Sequence, residues 1–208
     1  MVDRKYSVLA RASSMPWLVT SGIKRLFALP YIRLAFALHG VSWGRRWRIY
    51  GMPIIQRHRE SRIELGNGLY MRSWSRSNPL SPNHRTVLST RRAGALVAVG
   101  NDCGFTGATI VADQKVQIGD RVQVGANAVI VDTDFHPLTP ETRHEDMQAG
   151  ESAPVTIEDD VFIGMQSIIL KGATIGAGSV VGAGSVVARD VPSRSVVAGN
   201  PAQVVRRI

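Results

Sequence analysis

From Ile118 onward the chain repeats every six residues, a pattern that few folds can accommodate. The units read IGDRVQ (118–123), VGANAV (124–129) and IVDTDF (130–135). After a break they resume as IEDDVF (157–162), IGMQSI (163–168), ILKGAT (169–174), IGAGSV (175–180), VGAGSV (181–186) and VARDVP (187–192). Each opens on Ile or Val, Gly often follows, and a small or branched residue usually stands four places on. A helix would repeat its apolar residues at steps of three and four, and a half-buried strand at steps of two. A period of six fits neither. It fits a short straight edge and a tight corner, with three such units closing one triangular coil. The aliphatic then points inward and stacks on its equivalents in adjacent coils, while Gly permits the corner. The unbroken run from 157 to 192 makes two full coils of a parallel β-helix.

Earlier segments follow the period more loosely. LGNGLY and MRSWSR (65–76) read as degenerate units, as do VGNDCG, FTGATI and VADQKV (99–116). Residues 77–98, with Pro79, Pro82 and the pair Arg91-Arg92, read as an insertion or an irregular coil. Residues 14–39 read as one or two short helices interrupted at Pro30. Gly199-Asn200-Pro201 ends the repeat, and Pro201 is placed to start a short helix, AQVVRRI. Three parts are expected: a helical capping segment (1–44), a solenoid (45–198) with an insertion loop (136–155), and a tail helix (199–208).

The lone cysteine, Cys103, excludes an internal disulfide framework and a cysteine zinc site, and a cytoplasmic address is the default. Residues 1–100 hold 17 Lys and Arg against 3 Asp and Glu, whereas residues 101–208 hold 8 against 13. The basic half suits anions such as phosphates, nucleotide-linked substrates or anionic lipid. A surface that only keeps the protein soluble is the plainer alternative. Its basic residues are not interleaved with a nucleic-acid-binding motif, so no nucleic-acid partner is expected. The apolar stretch from Leu26 to Gly40 is broken by Pro30 and Arg33 and is too short to span a bilayer, and the N-terminus lacks a secretory pattern. Trp17, Phe27, Tyr31 and Phe36 mix there with Lys24, Arg25 and Arg33. Such a segment either lies in a membrane interface at the inner face or caps the open end of the solenoid, and capping is the structural necessity. Trp43, Trp47 and Trp74 could stack on sugar rings, but as core residues they need no ligand.

The break in the repeat, HPLTPETRHEDMQAGESAP, must leave the coil at a corner, where an excursion does not disturb stacking. It carries His136 and His144, and His136 is held between a coil edge and Pro137. A general base needs that union of rigid placement and exposure. Asp134 and Asp132 are near enough to orient the ring, and a main-chain carbonyl would serve equally. His144 reads as a surface residue.

Three segments, DTDFHPL (132–138), GAGSVVARDVP (182–192) and AGNPAQVVRRI (198–208), resemble the hexapeptide-repeat acetyltransferases. The branch is that of the maltose, galactoside and nodulation-factor O-acetyltransferases and of enzymes that O-acetylate surface polysaccharides. The resemblance extends over roughly residues 45–208. It implies a mainly β, left-handed parallel β-helix, a homotrimer with active sites between subunits, acetyl-CoA as co-substrate and no metal. It makes His136 the base that deprotonates an acceptor hydroxyl, and Asp134, by its proximity in sequence, is the candidate to orient the ring. It places Gly164, Met165, Ala183, Ser185, Ala188 and Arg189 along the pantetheine arm, and Arg206 at the nucleotide phosphates. The plainer reading of Arg206 is an ordinary cationic chain end, and Gln203 stands where relatives often carry another basic residue. Galactoside and maltose acetyltransferases have an acceptor-binding asparagine in the segment matching Cys103 to Ile110. This chain reads CGFTGATI there, leaving Thr106, with Asp132, as the acceptor-side candidates. That departure favours polymeric or lipid-linked glycans over free sugars.

Other functions remain in view. N-acetylation of a nucleotide-linked amino sugar would use His136 in the same role, as would acetylation of a xenobiotic. A zinc carbonic anhydrase on the same helix needs three converging histidines, and only His136 and His144 lie near one another. A non-catalytic scaffold would need neither the His-Pro-Leu loop nor the Gly-Asn-Pro tail.

Overall fold

The aliphatic that opens each six-residue unit lies at or next to the end of a short strand and points into the solenoid. Ile118, Val124, Ile130, Ile157, Ile163, Ile169, Ile175, Val181 and Val187 are all buried. The residue four places on is buried as well, from Val122 and Ala128 to Ser179 and Ser185, except at Asp134 where the repeat breaks, so each of the other units feeds the core twice. The computed structural model describes residues 14–208, and residues 1–13 of the expected N-terminal segment lie outside the described residues.

Three sheets form the sides of the triangle. The first holds β1 (Arg48–Tyr50), β4 (Tyr70–Arg72), β7 (Gly104–Thr106), β10 (Gln123–Val124), β13 (Phe162–Ile163), β16 (Val180–Val181), β18 (Ser195–Gly199) and β19 (Ala202–Arg207). The second holds β2 (Ile54–Arg57), β5 (Val87–Thr90), β8 (Thr109–Ala112), β11 (Val129–Val131), β14 (Ile168–Ile169) and β17 (Val186–Val187). The third holds β3 (Arg62–Leu65), β6 (Leu96–Val99), β9 (Lys115–Ile118), β12 (Val155–Ile157) and β15 (Thr174–Ile175). Coil follows coil in parallel register, as in Ile130 opposite Ile169 and Ile157 opposite Ile175. The third side of the last coil is the bridge between Val191 and Ile175.

Glycine serves two positions, and only one of them is the expected corner. The turn residue with positive φ stands three places after the aliphatic: Arg121, Asn127, Asp160 and Gln166 adopt it, as do Gly172, Gly178 and Gly184. The glycine directly after the aliphatic is instead a point of close approach between coils. A Cβ on Gly164 would lie 2.5 Å from the backbone nitrogen of Ala183, and one on Gly125 would lie 2.5 Å from that of Met165.

Three expectations are corrected. Residues 77–98 are not one irregular block: only 73–86, with a single 3-10 turn at Ser75–Ser77, leave the solenoid, and β5 and β6 are ordinary edges. Pro30 does not divide the N-terminal helix, which runs unbroken as α1 (Pro16–Leu38). Pro30 and Leu26 are both exposed, so water can satisfy the Leu26 carbonyl that Pro30 leaves without a donor. The C-terminal helix is absent. Residues 202–207 form β19, antiparallel to β18 across a turn at Asn200-Pro201. The open edge of β18 offers a ladder of backbone partners, and Val204-Val205 suit a strand better than a helix.

Residues of α1 close the other end. Ile32 and Phe36 are fully buried, and Phe36 meets Trp43 and Trp47 edge-on at 5.6 and 5.5 Å. The Trp47 indole donates to the Gly66 carbonyl at 2.6 Å. Trp47 is core, and the half-buried Trp43 packs against it.

Candidate active site

The second excursion, residues 132–154, leaves the corner between β11 and β12 and carries a short helix, α2 (Pro140–Glu145). Its root is a buried carboxylate. Asp132 accepts the backbone N–H groups of Asp113, Gln114 and Lys115 at 2.7, 2.7 and 2.6 Å. Burial pushes its carboxyl above the ordinary carboxylate range and the negative charge of Asp113 adds to this, while the three donors act against it. Asp132 is therefore a brace of the coil and does not face an acceptor, contrary to the expectation from sequence.

His136 stands exposed a few residues further on. Its backbone N–H donates to the Asp134 carbonyl at 2.7 Å, in a tight turn in which Phe135 takes a φ of 64°. Gly150 packs so closely beneath that a Cβ there would lie 2.6 Å from the His136 nitrogen. Across the excursion, Nδ1 lies 2.6 Å from the Met147 carbonyl oxygen. A carbonyl only accepts, so Nδ1 carries the proton and the neutral ring keeps its Nε2 lone pair free. Among the described residues no partner engages Nε2.

The orienting group is thus the Met147 carbonyl, not Asp134. The Asp134 carboxylate receives Lys171 Nζ at 2.6 Å, and the same ammonium reaches Glu151 at 2.9 Å. Those two carboxylates hold the Lys171 pKa above its usual value. The return limb is gripped by a pair of arginines that sequence reasoning left unassigned. Arg92 donates to the Gln148 carbonyl at 2.6 Å, and Arg91 donates to the Gln148 side chain at 3.0 Å. Both approach the buried Asp113 carboxylate, at 3.6 Å from Arg91 and 3.0 Å from Arg92, and Arg91 lies over the Phe135 ring at 4.8 Å. The only sequence signal for them was a double arginine just beyond a coil edge. Lys171 had a better one, since Ile130 pairs with Ile169, which sets Lys171 at the corner where the excursion leaves the coil.

The repeat and the surrounding sequence match known proteins. Residues 154–189 fit the family described as bacterial transferase hexapeptide (six repeats). A galactoside O-acetyltransferase of Lactococcus lactis subsp. lactis is 40% identical over 100 residues, covering 48% of this chain and 47% of its own length. The matched stretch thus spans about half the length of that curated relative. A galactoside acetyltransferase solved in complex with coenzyme A is 26% identical, with a TM-score of 0.53 over 90% of this chain and 82% of that one. A hexapeptide-repeat acetyltransferase of Vibrio cholerae O1 biovar eltor, solved with acetyl coenzyme A, shares the fold at 24% identity and a TM-score of 0.54, over 97% of this chain and 90% of that one. The chain is thus similar to hexapeptide-repeat acetyltransferases, in sequence over about half its length and in fold over most of it.

Within this hexapeptide-repeat chain the expected donor-site residues fall into two stacks. Met165 and the exposed Ala183 share the corner between the first and second sheets, where the Gly184 N–H donates to the Met165 carbonyl at 2.8 Å. Ala188 and Arg189, both exposed, share the opposite corner with Lys171 and the His136 excursion. Gly164 and Ser185 face neither surface. Gly164 is pressed against the next coil, and the buried Ser185 hydroxyl accepts the Gly199 N–H at 3.2 Å. These two hold the coils together and correct the cofactor-contact reading. Arg206 is exposed on β19, while its neighbour Arg207 is tied to the Ser195 hydroxyl at 3.0 Å. Thr106 ends β7 at the corner away from His136, with its hydroxyl 3.4 Å from the Asn78 amide. His144 is exposed on α2.

Proposed function

We propose that the chain is an acetyl-CoA-dependent O-acetyltransferase acting on a sugar hydroxyl of a surface polysaccharide or its lipid-linked precursor in the cytoplasm. The observation that carries this reading is the His136 ring, pinned through Nδ1 to the Met147 carbonyl with Nε2 exposed. A base so held can approach an acceptor hydroxyl without spending rotational freedom at the moment of reaction. Its pinned tautomer can take only one proton, at Nε2.

Bound acetyl-CoA would supply a thioester carbonyl. Exposed small residues on the corner stacks, Ala183 and Ala188, leave backbone groups open to a slender polar arm, and Arg189 and Arg206 supply cations for phosphates. Nε2 removes the acceptor proton as the hydroxyl oxygen bonds to the thioester carbon. The carbon–sulfur bond breaks, and the imidazolium returns the proton to the departing thiolate.

The donor-side positions stand on two corners at opposite edges of the second sheet. Two copies packed corner to corner would join Met165 and Ala183 of one to His136 and Arg189 of the other. Closed rotational symmetry around a triangular prism gives a homotrimer with three such sites.

His136→Ala tests the reading. Acetyl transfer should fall by about a hundred- to ten-thousand-fold with the melting temperature unchanged, because the side chain is exposed. Calorimetric binding of acetyl-CoA should persist in that variant. Retained activity would end the proposal, as would absence of acetyl-CoA binding by the wild type.

A further inference from the structure

The helix α1 is apolar on nearly all sides, yet among the described residues only one side is covered. Its inner face buries Ile32 and Phe36. On the outer face Ile23, Leu26, Phe27, Tyr31, Leu34 and Leu38 are all exposed, Phe27 at 83% and Leu38 at 76%. Their spacing of three and four residues aligns them along one stripe of the helix. A helix of 23 residues is about 35 Å long, so this stripe is far more than a scatter of single surface hydrophobes. No helix among the described residues is long and apolar enough to cross a membrane.

The charges nearby have one sign. Between residues 14 and 59 there is no Asp or Glu, against eight Lys and Arg. Arg25 and Arg33 fold over Tyr50 and Trp43, at 5.7 and 5.2 Å from the ring centroids. Near its N-terminal end, α1 and the 73–86 excursion enclose a groove of about 560 Å³ lined by Lys24, Arg76, Trp17 and Trp74, with the hydroxyls of Ser75 and Ser77. Aromatic rings beside cations and hydroxyls suit the level of phospholipid headgroups, where one end of a side chain is dry and the other wet.

We infer that the outer face of α1 lies in the interface of an anionic bilayer, apolar stripe toward the acyl chains and Lys24 and Arg76 on lipid phosphates. A second copy of the chain fits this face poorly. A contact between two copies of this segment would bring cationic rims together with no carboxylate from residues 14–59 to offset them, whereas an anionic lipid surface complements them. The inference does not rest on acetyl transfer.

The test is co-sedimentation of the full chain with phosphatidylglycerol–phosphatidylcholine vesicles and with phosphatidylcholine alone, at low and high salt. Light scattering and circular dichroism accompany each variant. Wild type should bind the anionic vesicles and lose most of that binding in high salt. Phe27→Glu/Leu34→Glu, both at exposed positions, should weaken binding at least about ten-fold with the fold intact. Lys24→Ala/Arg76→Ala should weaken it several-fold and flatten its salt dependence. Failure of wild type to sediment with anionic vesicles would overturn the inference, and so would equal binding by the double glutamate variant. If that variant instead lost oligomeric state while wild type ignored vesicles, the stripe would be a contact between copies.

Discussion

Two excursions leave the solenoid, and they are built differently. Residues 73–86 depart between β4 and β5 and are held by hydrogen bonds with no ion pair among the described residues: the Ser73 and Trp74 N–H groups donate to the Tyr50 carbonyl at the root, and Asn83 N–H to the Asn127 side chain and Asn78 to Thr106 tie the exposed part. Residues 132–154 depart between β11 and β12 from a buried carboxylate with three backbone donors, Lys171 of the next coil pairs with a carboxylate on each limb, Asp134 and Glu151, and Arg92 donates to the Gln148 carbonyl. The first is a surface detour that a solenoid tolerates at any corner. The second is a rigid mount that holds one exposed side chain in place. That side chain is His136.

The sharpest way to break this contrast is Asp132→Ala. It strands three backbone N–H groups in the interior and should cost about 3–5 kcal/mol, read as a lower midpoint in urea. A cost near 1 kcal/mol would mean that the second excursion is no better anchored than the first.

Arg92→Ala acts on the mount without touching the imidazole. The Gln148 carbonyl loses its donor, and the adjacent Met147 carbonyl loses its support. Removal of one partner of the buried Asp113 should also lower stability by about 2 kcal/mol. On the acetyl-transfer reading kcat should fall about ten-fold with the KM for acetyl-CoA unchanged, and Arg92→Lys should restore part of it. A parallel loss in both kinetic parameters would indicate general damage rather than positioning.

The difference between the excursions also marks how far sequence could reach. Coils rich in the six-residue unit were legible because Ile or Val at one position and a small residue four places on both feed the same core. In earlier coils the inward positions hold Met71, Leu88 and Phe105, which fill the interior equally well but hide the period. The strand β19 was illegible for a related reason. Pro201 and a cationic end read as a helix, and only the unpaired edge of β18, a tertiary feature, makes the segment extended. At the site, His136 could be read from its neighbours Phe135 and Pro137, but its orienting partner could not. Met147 contributes a carbonyl, which every residue carries, from eleven positions away. Asp134 and Asp132 looked suitable by proximity, yet cross-coil partners claim both: Lys171 for the first, and the backbone of the preceding coil for the second.

The smallest predicted effect probes the lightly tied excursion. Asn127 does two things at once: its side-chain oxygen accepts the Asn83 N–H at 3.0 Å, and its backbone occupies a corner at a φ of 60°. Asn tolerates that conformation better than other non-glycine residues, and glycine tolerates it without steric cost. Asn127→Ala should lose both the bond and the tolerance, at about 1–2 kcal/mol, whereas Asn127→Gly should lose only the bond, at about 0.5–1 kcal/mol. The gap between the two variants isolates the corner, and the glycine value measures the tie to residues 73–86. If glycine cost as much as alanine, the hydrogen bond alone would account for the loss. The first excursion would then be fastened more firmly than its exposed contacts indicate.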